Sequence, residues 1–122
     1  MIEIRSRDWR TFCHRLNESE YGATVDIHWI DRATKAEKEI ARAAEFEEIT
    51  FQKRDGCSDL IKIRTSGETT THHDIVEPIR ILLRATEDGA AFNGVAVEAE
   101  EGTTLMTFTP VIRKAIIQSF AA

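Results

Sequence analysis

Between Pro78 and Pro110 three apolar-rich segments are separated by Glu87-Asp88-Gly89 and Glu100-Glu101-Gly102, and this spacing constrains the fold more than any other feature of the chain. Gly takes φ > 0 without steric cost and Asp tolerates it, so acid-Gly steps between strand-like runs mark antiparallel hairpins. The region is expected to form a β-meander. In its first strand Ile79, Ile81 and Leu83 alternate with Arg80, Leu82 and Arg84. In its second, Phe92 is out of phase with Val95, Val97 and Ala99, and one inserted residue at Asn93-Gly94, a β-bulge, accounts for the change of parity. Residues 105–109 close the meander.

The upstream sequence adds strands and one clear helix. Residues 2–4 suit a short strand, and Ser6 can cap a helix in which Trp9, Phe12, Cys13 and Leu16 follow the i, i+3, i+4, i+7 spacing. That helix is expected to stop near Glu18, with Arg7, Arg10 and His14 making its outer face basic. Over residues 23–30, Val25, Ile27 and Trp29 alternate with Thr24, Asp26 and His28, the pattern of a half-buried strand. Residues 49–53 and 60–64 flank an Asp-Gly turn and form a further hairpin.

Residues 34–48 are ambiguous. They are rich in helix formers, yet Ile40, Ala44 and Phe46 make no continuous stripe, and strand alternation over residues 38–43 is no clearer. Residues 65–71 read as a polar loop and 71–77 as a short helical turn, because Pro78 disfavours helix in the residue before it. Thr109-Pro110 resembles a helix start leading into Ile112, Ile116, Ile117 and Phe120.

A chain of 122 residues suits a single domain, 1–122, able to fold without staples. Its formal charge of -5 argues against nucleic acid as a partner, since phosphate neutralisation needs a basic surface. No run approaches the roughly 20 apolar residues needed to span a bilayer, and the charged amino terminus lacks a signal-peptide core. The expected setting is the cytoplasm, with no membrane association. Cys13 then reads as a core thiol and Cys57 as an exposed one in a turn.

Few residues invite a chemical reading. His72, His73 and Asp74 are adjacent, but consecutive side chains on a strand point to opposite faces, so a metal site would need a turn and a further ligand such as His28. Asp26 and His28 share a strand face and can be imagined hydrogen-bonded, as an acid–base pair requires. GxSxG, HExxH, P-loop and GxGxxG patterns are absent, so no catalytic residue and no cofactor is assigned. The carboxy-terminal helix carries a wide apolar face that can cover the sheet or dock on a second copy.

The order Arg7-x-Trp9-x-x-Phe12 with Leu16, then Gly22, Val25 and Ile27, resembles the opening of a family of short, uncharacterised bacterial proteins classed as a domain of unknown function. The resemblance continues through residues 43–51, through His73-Asp74-Ile75-Val76-x-Pro78-x-x-Ile81, and from Gly89 to Phe108. It covers the chain up to Pro110, so the carboxy-terminal helix looks like an addition. The resemblance implies a strand over residues 38–43 and a closing meander, and it transfers no activity.

The expected fold is α+β: a largely antiparallel sheet of six or seven strands with an amino-terminal and a carboxy-terminal helix packed on it. The leading function is a non-catalytic interaction module that meets a protein partner or a second copy through Arg7, Arg10, Ile117 and Phe120. The alternative is a small-ligand or metal-binding protein using the loop from Thr69 to Asp74. An enzyme of unassigned class is the third reading.

Overall fold

A computed structural model of the protein describes residues 1–54, 56 and 58–120, so Cys57, expected as an exposed thiol, lies outside the described residues. In chain order the elements are β1 (Ile2–Ile4), a 3-10 turn (Ser6–Asp8), α1 (Trp9–Glu20), β2 (Thr24–Asp31), β3 (Glu37–Gln52), β4 (Leu60–Ser66), β5 (Thr71–Val76), β6 (Pro78–Ala85), β7 (Phe92–Ala99), β8 (Gly102–Thr109) and α2 (Lys114–Phe120). The strands form one antiparallel sheet in the order β1-β6-β7-β8-β2-β3-β4-β5. The fold is α+β as expected, with eight strands rather than six or seven.

Two segments depart from the expected elements, and only the second of them raises the strand number. The segments at 38–43 and 49–53 are parts of one long strand, β3, and residues 71–76 form β5 instead of a helical turn. In β5, Thr71, His73 and Ile75 alternate with His72, Asp74 and Val76, and the whole run pairs with β4. Pro78 ends no helix there; it opens β6.

β3 conceals its period because its register shifts three times. Pairing with β2 slips between Ala44 and Ala41 and again between Ala41 and Glu39, and pairing with β4 slips between Phe46 and Glu48. Ala41, Phe46 and Ile49 are consequently buried at spacings of five and three, a pattern that fits neither period 2 nor a helical stripe. At the first bulge Ala43 has φ 46°, and its N–H donates to the Asp26 carboxylate at 2.6 Å. Asp26 therefore supports the bulge and makes no pair with His28. The bulge expected in β7 is present, with Arg84 opposite Gly94 and Ala85 opposite Phe92.

The sheet is rolled. β5 and β6 occupy its eighth and second positions, yet Glu77, at φ 53°, is the only residue between them. Across the interior His73 of β5 shares a hydrogen bond with Thr104 of β8 at 2.9 Å, and the Trp29 ring of β2 lies edge-on to His73 at 6.2 Å. The inward side chains of the rolled sheet meet α1 through Trp9, Phe12, Cys13 and Leu16, all buried.

Hydrogen bonds and ring contacts fix the position of α1. Asn17 exchanges two bonds with the Ile49 backbone, at 2.9 and 2.7 Å, and Trp9 packs edge-on against Phe51 at 5.4 Å. The helix begins at Trp9 after the 3-10 turn, without a side-chain cap from Ser6, and runs to Glu20, two residues beyond the expected end. α2 starts at Lys114, later than Pro110, because the Ile112 N–H donates to the Phe92 carbonyl at 2.8 Å and ties the intervening chain to β7. No helix among the described residues is long and apolar enough to cross a membrane.

Candidate functional site

The residues singled out from the sequence do not converge. His73 points inward to Thr104, while His72 and Asp74 lie on the opposite face of β5. His28 occupies the face of β2 opposite Trp29, with Nδ1 3.0 Å from a Glu37 carboxylate oxygen in a contact not aligned as a hydrogen bond. Among the described residues no group of three or more His, Cys, Asp and Glu side chains could hold a metal ion. Burial pushes the His73 imidazole below its ordinary pKa of 6.5, partly opposed by Asp74, so the ring sits in the interior as a neutral hydrogen-bonding group. Burial likewise pushes the Cys13 thiol up to about 12, which leaves it without nucleophilic thiolate.

The surface candidates are also dispersed. The Arg10 guanidinium lies 5.9 Å from the centre of the Phe51 ring, and Arg7 is exposed on the 3-10 turn. Phe120 packs edge-on against Phe12 at 5.4 Å, and Ile116 beside it is 2% exposed, so α2 docks on its own chain. Ile117 points elsewhere, into a cleft that none of the sequence motifs indicated.

That cleft, of about 700 Å³, opens where the ladder between β2 and β8 ends. Thr24 opposite Thr109 is the last pair, and the residues beyond it, Ala23 and Pro110, both line the space. Pro110 has no N–H with which to continue the ladder, so the strands part. Residues 19–21 at the end of α1 form one wall, and Gly22, at φ 84°, turns the chain from the helix into β2. Residues 90–92 form a second wall, and Ile112 and Ile117 the cover. Tyr21 and Val111 stand at the mouth, 69% and 39% exposed.

Glu20 is the chemically unusual residue of the cleft. It continues the buried stripe of α1 one turn past Leu16, so a carboxylate occupies a position that the helix geometry makes interior. Its side chain is 4% exposed, and its ion contact among the described residues is with Arg113 Nε at 4.0 Å, beyond hydrogen-bond length. Burial pushes the carboxyl up from its ordinary value of 4.5, and the Arg113 N–H and guanidinium offset that only in part. The signal was legible in principle: residues 9, 12, 13, 16 and 20 fall on one helical face.

A pH-dependent stability follows. The folded chain holds the neutral acid more readily than the unfolded chain does, so this group's contribution is complete below the unfolded pKa and is lost as pH rises through the higher folded one. Glu20→Gln, neutral at every pH, is expected to melt above the wild type at pH 7 and to lose that advantage near about pH 4, where an unfolded glutamate takes up its proton. Thermal melts at both pH values check this, and identical melting points at pH 7 would show that burying the carboxylate costs nothing.

Comparison with known proteins adds one relationship. The model of a family described as a family of unknown function (DUF5335) matches residues 1–112, which places α2 outside the matched region. No curated protein and no solved structure matches the chain.

Proposed function

We propose that this chain, which belongs to the family of unknown function DUF5335, is a small non-catalytic binding module whose binding surface is the cleft at the end of the β2–β8 ladder. The cleft itself carries the reading. Its volume of about 700 Å³ falls within the roughly 300–1,000 Å³ of small-molecule sites, and apolar side chains with a few charged ones line it, the usual make-up of such a site. Catalysis requires convergent nucleophilic or acid–base groups. Here His73 is bonded to Thr104, His28 faces Glu37, and the Cys13 thiol is buried.

In this reading residues 1–122 act as one domain in a bacterial cytoplasm, and the occupant is a small molecule. Phe120, one of the residues expected to meet a protein partner or a second copy, packs against Phe12 of its own chain. The cleft by contrast is open at Tyr21 and Val111.

A neutral naphthylamine fluorophore tests the proposal. It is expected to bind the wild type with one-to-one stoichiometry and an enhanced emission. Ala91→Trp, which fills the cleft, and Ile117→Asp, which makes its cover polar, are each expected to weaken binding at least about tenfold, the equivalent of 1.4 kcal/mol. Both variants should retain the circular dichroism of the sheet. Undiminished binding by both, or none by the wild type, overturns the reading.

A further inference from the structure

The charges of the cleft are unequal in number and in depth. Of its lining residues, Glu20, Arg113 and Lys114 are charged, so cations outnumber the anion by one. The carboxylate is the buried member, whereas the Arg113 side chain is 73% exposed at the mouth. The separation of 4.0 Å between them leaves the guanidinium donors uncommitted to Glu20.

Next to the cations lies apolar surface. Phe92, Ile112 and Ile117 line the space behind them, and the exposed faces of Tyr21 and Val111 flank its entrance. An apolar interior with a cationic rim favours a ligand divided in the same way. A cationic ligand would add to the excess charge, a neutral one would leave it unmatched, and a carboxylate can take the planar guanidinium in a bidentate contact.

We infer that the cleft takes a small amphipathic monoanion, a molecule with an apolar body and one carboxylate, the carboxylate lying between Arg113 and Lys114 and the body along Phe92, Ile112 and Ile117. The inference rests on the cleft being the binding surface.

Phenylbutyrate, phenylbutanol and phenylbutylamine share one apolar body and differ in head group, so titrating the full chain with each, followed by amide NMR shifts, isolates the charge. Phenylbutyrate is expected to bind about tenfold more tightly than the alcohol, and the amine more weakly than either. In Arg113→Gln, and further in Arg113→Gln with Lys114→Gln, that preference should fall toward unity while the alcohol affinity stays unchanged. Arg113 is exposed, and the spectrum of the variant verifies its fold. Equal or tighter binding of the alcohol or amine overturns the head-group assignment and leaves the cleft as a binding site. A carboxylate preference that survives both substitutions also overturns it. If none of the three compounds shifts the amides of Phe92, Ile112 and Ile117, the cleft reading itself fails.

Discussion

Gly102→Ala is expected to lower the stability of this protein by about 3 kcal/mol, the upper end of what overpacking costs in a well-packed interior. Gly102 begins β8 opposite Asp31. A Cβ there would overlap the Ile30 carbonyl oxygen and come within 2.6 and 2.9 Å of the Trp29 ring carbons Cζ2 and Cη2. The requirement is for space: the backbone is not in the left-handed region, and the obstacle includes main chain. Moving the Ile30 carbonyl disturbs β2, which is paired on both sides, with β8 and with β3. Urea unfolding should show a large drop in midpoint without a change in slope. Trp29→Leu should fail to rescue Gly102→Ala, because the carbonyl remains; full rescue would show that the indole alone excludes a side chain.

Phe46→Ala should cost still more, about 4 kcal/mol, within the range found for deleting a buried phenyl ring. Phe46 is 0% exposed and packs edge-on against Phe108 at 5.2 Å, joining β3 to β8 across the core. Its backbone also receives the Gly22 N–H and donates to the Ala23 carbonyl, both at 2.8 Å, so the residue anchors the exit from α1. Against a total stability of roughly 5–15 kcal/mol for a domain, such a loss removes much of the margin. Phe46→Leu, which keeps most of the volume, should cost less than about 1.5 kcal/mol. Comparable losses for the two substitutions would show that ring volume is not what holds this part of the core.

These two positions differ in how readily the sequence discloses them. Gly102 lies in the acid-Gly step that marked the hairpin, although its turn signal gave no hint that Ile30 and Trp29 would crowd it. The meander, the stripe of α1 and the bulge before Val95 were legible because each depends on residues near one another in the chain. β3 was obscure because its three register shifts break the alternation on which strand recognition depends. β5 was obscure because Thr71 and His73, both polar, share the face of Ile75, and the partner of His73, Thr104, is distant in sequence. The cleft was hidden most completely. Ala23, Ala91 and Pro110 have no distinctive chemistry, and the pairing of β2 with β8 brings Ala23 and Pro110 together from opposite ends of the sequence. Glu20 went unread because a glutamate at a helix end normally faces water, and the expected end of the helix fell two residues short of it.

The pairing of β2 with β8 also bears on the order of assembly. β3 to β5 and β6 to β8 are runs of neighbouring strands that can zip from local turns, whereas joining Val25 to Phe108 requires the closure of most of the chain as a loop. Contacts so distant in sequence are slow to form, which makes this seam the natural late step of folding. The cleft lies at its open end, so it exists only once the seam has closed. An occupant there binds the finished molecule alone and raises stability in proportion to the logarithm of its concentration above the dissociation constant.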